Sequence, residues 1–337
     1  MDSLTHIALG ACIGEAVFSK QAGKKALVSG AIAQSLPDID VVASLWLPPA
    51  ENLLVHRGFA HSFLFGVIAA VLLSLLARKI LKLHNVSFKK LFFFFCLLIW
   101  LHDLLDVCNA YGTGLFEPFS HQRFSINLLY VIDPFFSISL VIAFIALIIG
   151  RKNDPTRKRW VVGGLLPCCM YFLYAIFNKV SASEQVKKSL LSEQIPYKSF
   201  FTTPTPFNNW LWYSVAATDS GYFIGYRSVF DKNSFPVPFV YYKKNDQLLQ
   251  SVDKNINVKE LLKFADNYYT VDGQGDSLVF NVLRFGQVFG WQNHKAHFAF
   301  QYFLNPSYNN SLVVQRERFK GWNKKTLTGI YNRIKGN

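Results

Sequence analysis

Four stretches of this chain are almost free of charge: residues 62–77, 91–101, 134–150 and 160–177. With their polar flanks they extend to 62–81, 90–108, 134–151 and 160–179. Each then falls within the roughly 17 to 25 residues that an α-helix needs to cross a hydrocarbon layer about 30 Å thick. A soluble core would not segregate its apolar residues in this way, with charge dense after residue 184. Two earlier segments are weaker. Residues 4–18 are short, and residues 26–47 are interrupted by Pro37, Asp38 and Asp40. Both read as short or broken helices, because irregular backbone at membrane depth is tolerated where it is buried in protein or lines a wet cavity. The expected fold is an α-helical membrane bundle over residues 1–180, with about four full spans plus two short or broken N-terminal helices. A mainly-β extramembrane domain follows over residues 181–337.

The N-terminus has no basic residues ahead of its apolar stretch and carries Asp2, so it does not read as a cleavable signal peptide. Orientation follows from the basic residues of the short loops. Lys20, Lys24 and Lys25 sit in the first turn. Arg78, Lys79, Lys82, Lys89 and Lys90 occupy the loop 78–90, and Arg151, Lys152, Arg157, Lys158 and Arg159 the loop 151–159. These loops are expected on the cytoplasmic side of a bacterial inner membrane. Alternation of six segments then puts the N-terminus, residues 48–61, residues 109–133 and the C-terminal domain on the extracytoplasmic side.

The five cysteines, Cys12, Cys96, Cys108, Cys168 and Cys169, all fall in or beside apolar segments. They imply no disulfide framework and read as packing residues. The formal net charge is +14, and from residue 185 onward 19 Lys and Arg face 10 Asp and Glu. A basic domain beside a bilayer is drawn to anionic head groups. No helix-turn-helix, RNP-like or zinc-finger pattern appears, so membrane lipid is the expected partner and nucleic acid is not.

Beyond residue 180, an amphipathic helix over 181–195 is expected. Aromatic and β-branched runs at 210–216, 221–228, 239–243 and 278–284 follow, set off by Pro, Asn, Asp and Gly, and these read as strands. Val258, Leu261, Leu262 and Ala265 recur at helical spacing within 256–268. His294 and His297 have no nearby carboxylate and read as a surface pair.

The chemistry is concentrated in residues 2–133. His6 lies in DSLTHIALG, Asp38 and Asp40 in SLPDID, His56 and His61 in VHRGFAHS, and His102, Asp103 and Asp106 in WLHDLLD. An ionisable group at membrane depth costs about 3 kcal/mol even on the lenient scale, so such groups face a partner or a cavity. His102 and Asp106, four apart on a helix, share one face and can chelate a single ion. Asp103 points about 100° away and is a candidate for a supporting or second-ion role. Read alone, the Asp38–Asp40 pair is a turn or helix start, His56 and His61 are a solvated pair, and His6 is a satisfied buried histidine. Taken jointly, imidazoles and carboxylates from separate helices are the donor set of zinc or a similar divalent ion.

The series DSLTH, LPDID, VHRGFAHS, LHDLLD, AYGTGLFEPFS and IDP resembles the YdjM family of membrane-bound proteins predicted to be metal-dependent hydrolases. The match runs over roughly residues 1–180. That family is distantly similar to zinc-dependent phospholipase C and the S1/P1 nucleases, all-helical enzymes whose metals are held by His and Asp. The resemblance implies that His102 and Asp106 stand for the His-x-x-x-Asp ligand pair. It also implies His6, an Asp of the LPDID stretch, and His56 or His61 as further ligands. This chain lacks the N-terminal Trp that supplies backbone ligands in the soluble enzymes.

In such an enzyme, Asp38 or Asp103 would orient the attacking water, and Arg57 or Arg123 would clamp an anion. Gly112 and Gly114 would allow a tight loop near the site, bringing the hydroxyls of Tyr111 and Thr113; the same segment also reads as a plain turn. Two function classes follow. One is a membrane-bound hydrolase of phosphoesters, including lipid head groups, with Zn²⁺ or another divalent ion as cofactor. The other is a non-enzymatic membrane protein with a structural or sensing metal or His/Asp site and a β binding module.

Overall fold

The structure is a computed structural model and describes residues 1–80, 86–152, 154–252, 256–275, 277–304 and 322–336. Lys82, expected in the second basic loop, lies outside these residues. The chain divides into two compact units: Met1–Ala43 with Val55–Ala175, and Ser44–Leu54 with Ile176–Asn337.

In the first unit, α1 (Ser3–Ala22) starts where the Asp2 side chain accepts from Thr5 N at 3.0 Å, and it ends at Gly23, whose φ of 58° only glycine adopts freely. The chain reverses at once into α2 (Lys24–Ser35). A Cβ on Gly30 would stand 2.0 Å from the Gly10 carbonyl oxygen, and one on Gly14 would stand 2.2 Å from that of Ala26. The pairs 10 with 30 and 14 with 26 make α1 and α2 an antiparallel hairpin with touching backbones, an approach that small residues permit. Pro37 then opens a 3₁₀ segment, Pro37–Leu45, bent by 55° from α2. After the short α3 (Pro49–Val55), all but the last residue of which belongs to the second unit, the first unit resumes with a 3₁₀ turn, Phe59–His61, and α4 (Phe63–Lys79), capped by Ser62 Oγ. α5 (Phe88–Val107) packs against α2 and α4. α6 (Pro134–Ile149), started by Asp133 and by proline in its first turn, packs against α1. α7 (Arg157–Ser192) runs 36 residues.

Small and apolar side chains fill the interior, among them Leu9, Cys12, Leu105, Leu129, Phe136, Leu140 and Cys168. Leu72, Leu75, Leu97, Ile138, Ile142, Leu173 and Phe177 are each half exposed or more. An apolar outer face is tolerable where the solvent is lipid. Cys12, Cys96, Cys108 and Cys168 are buried and Cys169 is exposed, all as free thiols.

The four apolar segments are all helical, but the expectation of four full spans is met only in a coarser form. Among the described residues α7 alone is long and apolar enough to cross a membrane by itself. The bent pairs Lys24–Ser35 with Pro37–Leu45 and Ala50–His61 with Phe63–Lys79 bring the number to three if each is one span. α6 has 16 residues, about 24 Å of helix, and α5 has Lys89 and Lys90 at one end and His102, Asp103 and Asp106 at the other.

In the second unit, β1 (Ser199–Pro204), β2 (Leu211–Ala217), β3 (Gly221–Ser228) and β4 (Val240–Lys243) form an antiparallel sheet in that order. After α8 (Ile256–Ala265), β5 (Tyr269–Gln274), β6 (Ser277–Gln287) and β7 (Phe298–Leu304) form a second antiparallel sheet. α9 (Lys324–Ile334) opens with an Asn323–Thr326 capping box, and its Arg333 grips Asp231 at 2.7 and 2.9 Å. The separate amphipathic helix expected over 181–195 is instead the C-terminal part of α7. No glycine or proline interrupts residues 168–192, and the helix stops just before Gln194, whose φ is 55°.

Candidate metal centre

The α1–α2 hairpin, the Pro37–Leu45 segment, the His61 turn and the C-terminal end of α5 converge on one buried point. There, single atoms of Asp38, His61, His102 and Asp106 all lie within 4.8 Å of one another. His61 Nε2 and His102 Nε2 are 3.1 Å apart. Asp38 Oδ1 stands 3.6 Å from each of them, and Asp106 Oδ2 stands 3.5 Å from His61 Nε2 and 3.8 Å from His102 Nε2. A tetrahedral zinc ion with bonds of about 2.0 to 2.2 Å has donor–donor edges of about 3.3 to 3.6 Å, so the spacing suits one such ion.

The far nitrogens of the two imidazoles explain why this is more than proximity. His102 Nδ1 lies 2.6 Å from the Gln34 carbonyl oxygen, which can only accept, so the proton sits on Nδ1. His61 Nδ1 faces Asp40 Oδ2 at 3.1 Å, again an acceptor. In the neutral tautomers both Nε2 lone pairs therefore point at each other across 3.1 Å, an arrangement that a cation between them relieves. His61, His102 and Asp106 are fully buried, while the Asp38 side chain keeps 17% exposure. The donor set fits a divalent ion.

The other expected residues take distinct places. Asp40 organises the loop after α3: Oδ1 binds His56 Nδ1 at 2.8 Å, and Oδ2 accepts from Arg57 N at 2.8 Å while facing His61. Arg57 holds a φ of 62° there. Its guanidinium lies inside the protein, with Nε 2.9 Å from Asp106 Oδ2, an Nη donating to Asn109 Oδ1 at 2.5 Å, and its charge over the Tyr111 ring at 4.9 Å. His6 stacks on His102 with centroids 3.8 Å apart and places Nε2 3.4 Å from Asp106 Oδ1, which the Met1 amino group also pairs. Asp103 is buried one residue along α5, and among the described residues neither of its oxygens has a hydrogen-bond partner. Arg123 donates to the His56 carbonyl at 2.5 Å.

The AYGTG stretch lies against the same loop. Gly114 N donates to the Arg57 carbonyl at 2.9 Å, Gly112 has a φ of 76°, and Thr113 pairs with Phe124 in an isolated bridge. Besides the Met1 amino group, three participants were not expected from the sequence. Ser3 Oγ donates to Asp38 Oδ2 at 3.1 Å, Asn109 holds Arg57, and the Gln34 carbonyl orients His102. Asn109 was within reach, since 102, 106 and 109 fall on one helical face. A backbone carbonyl carries no sequence signal. His294 and His297 are exposed in the second unit.

A helical unit with a lipid-compatible surface, closed around two imidazoles and two carboxylates, defines a membrane protein with a candidate metal centre. The chain belongs to the YdjM inner membrane protein family, which matches residues 1–182. It is 28% identical over 285 residues to the uncharacterized protein YfhP of Bacillus subtilis (strain 168), a match covering 80% of this chain and 81% of that one. It is also 30% identical over 123 residues to the inner membrane protein YbcI of Escherichia coli (strain K12), covering 36% of this chain and 69% of that one. No solved structure matches the chain.

Proposed function

We propose that this protein is a membrane-bound, metal-dependent hydrolase of phosphoesters, lipid head groups among them. The observation that carries the reading is the pair of Nε2 atoms, tautomers set from behind, that meet two carboxylate oxygens at the spacing of one ion. Asp38, His61, His102 and Asp106 would hold the ion, with zinc the first choice for this donor set. A divalent ion supplies an acidified water and neutralises charge on a phosphoryl oxygen.

The chain's own residues do the rest. Asp40 and the Gln34 carbonyl keep the imidazoles oriented, and Arg57, committed to Asp106 and Asn109, is a positioning residue. Asp38, the accessible member of the four, would hold the ion through Oδ1 and accept the water's proton on its other oxygen. In the hydrolysis the water oxygen bonds to phosphorus, the ester P–O bond breaks, and the leaving oxygen takes up a proton. Asp103, buried beside the ligands without a hydrogen-bond partner among the described residues, is a second candidate for proton storage.

The number of donors favours a second reading. Four protein ligands close a tetrahedral shell, which is the mark of a structural ion, whereas catalytic ions keep one position open. A non-enzymatic protein with a structural or sensing ion would look the same in its ligands. Metal content of the purified chain and turnover of phosphodiester and phosphomonoester substrates in lipid decide between them. The expected result is about one divalent ion per chain and metal-dependent turnover, both lost in His102→Ala. Metal-replete protein without turnover on either substrate, with His102→Ala losing both the ion and thermal stability, would establish the structural reading.

A further inference from the structure

At the other end of α1, about 20 Å along the helix from His6 by its rise per residue, lies a second feature of the first unit. It is a groove of about 960 Å³ between the last turns of α1, the α6–α7 loop and the start of α7. Its base is an ion pair: Arg157 Nε and Nη bind both Glu15 oxygens at 2.7 Å, and the other Nη donates to the Leu147 carbonyl at 2.9 Å. Both charges are buried and mutually satisfied. Lys20, Lys152 and Lys158 also line the groove, all exposed and with no ion-pair or hydrogen-bond partner among the described residues. The groove's other carboxylate, Asp154, is occupied in accepting from Thr156 N at 2.8 Å.

The groove is also apolar along one side. Ala16, Val17, Val161 and Val162 line it, with Val17 48% and Val162 56% exposed. Lys152 is held across it because its stem lies over Gly23, where a Cβ would fall 2.6 Å from Lys152 Cε. Trp160 is 42% exposed on the same first turns of α7, as aromatic residues are at a membrane–water boundary.

Beyond the Glu15–Arg157 pair, three ammonium groups against the one carboxylate of Asp154 leave the groove cationic above an apolar trough, which matches a molecule that is anionic at one end and a hydrocarbon chain at the other. We propose that this groove is a binding site for one anionic phospholipid, its phosphate among Lys20, Lys152 and Lys158 and an acyl chain along Val17 and Val162. The site is separate from the metal centre and does not depend on its chemistry. A free phosphate offers the same charge but nothing to the valines, and a zwitterionic lipid offers the chain without net charge.

The test is native mass spectrometry of the full chain released from detergent with equal amounts of phosphatidylglycerol and phosphatidylcholine. Wild type is expected to retain phosphatidylglycerol preferentially. Lys20→Gln/Lys152→Gln/Lys158→Gln is expected to lose that preference by about tenfold to a hundredfold, as about three head-group charge contacts are worth. Val17→Trp, which fills the trough but keeps the lysines, is expected to lower retention of both lipids. Far-ultraviolet circular dichroism and the thermal unfolding midpoint of each variant report that the unit is folded. Equal retention of the two lipids by wild type, an unchanged preference in the triple variant, or displacement of the lipid by millimolar inorganic phosphate would each overturn the proposal. If the triple variant does not fold, the wild-type comparison and Val17→Trp decide by the same criteria.

Discussion

His102 shows how a residue acquires a role from what stands behind it. Its Nδ1 is tied to the Gln34 carbonyl, so its Nε2 is left to face His61, Asp38 and Asp106. Asp40 does the same for His61 with Oδ2, which also accepts from Arg57 N, while its Oδ1 ties His56. Asp40→Ala is therefore expected to lower metal affinity about 10- to 100-fold without removing a donor atom, whereas Asp106→Ala removes a donor and is expected to abolish stoichiometric binding. A chelator-competition titration on the purified variants separates the two; equal affinities for Asp40→Ala and wild type would remove Asp40 from the supporting shell. The i,i+4 spacing of His102 and Asp106 was legible in the sequence because helix geometry makes it so. The division of labour between Asp38 and Asp40 was not, since two carboxylates two residues apart in a 3₁₀ segment look alike until their partners are known.

At the scale of elements, the α1–α2 hairpin matters most, because it brings His6 and the Gln34 carbonyl to the same end of the unit. Its contact is backbone on backbone at Gly10, Gly14 and Gly30. Gly30→Leu cannot be absorbed by a rotamer change, since a Cβ would meet the Gly10 carbonyl itself at 2.0 Å. The helices must part, at a cost of about 1 to 3 kcal/mol, which corresponds to a fall of roughly 2 to 12 °C in the unfolding midpoint. Metal affinity should fall with it, because α2 carries the carbonyl that orients His102. Gly163→Ala, inside α7 with nothing within 4 Å of the new methyl, is the control and should lower neither. Thermal unfolding in detergent with and without added metal measures both effects. α7 is the element the sequence described least well: its apolar part was plain, but its continuation to Ser192 depends on side chains such as Val186 and Leu190, which pack against Ala216 and Val237.

At the scale of the whole molecule, the basic residues of the short loops, Arg78, Lys79, Lys89 and Lys90 in one and Arg151, Lys152, Arg157, Lys158 and Arg159 in the other, predict a cytoplasmic side for those loops and the opposite side for the C-terminal domain. Reporter fusions after Arg151 and after Lys198 are expected to give opposite signals, cytoplasmic for the first and extracytoplasmic for the second. Matching signals would refute this topology. By itself the sequence determined the class of molecule: charge-free stretches, a basic β-rich C-terminal half and a His/Asp set spread over separate segments, because solvent preference and helical periodicity are local properties of the chain. Only the tertiary structure decided how many helices are long enough to cross a bilayer unaided and which four donors meet. It also showed that Arg57 is committed inward to Asp106 and Asn109, and that a carbonyl and a second carboxylate set the two imidazoles. Those outcomes rest on distances between residues as far apart in sequence as His6 and Asp106, and no local pattern encodes them.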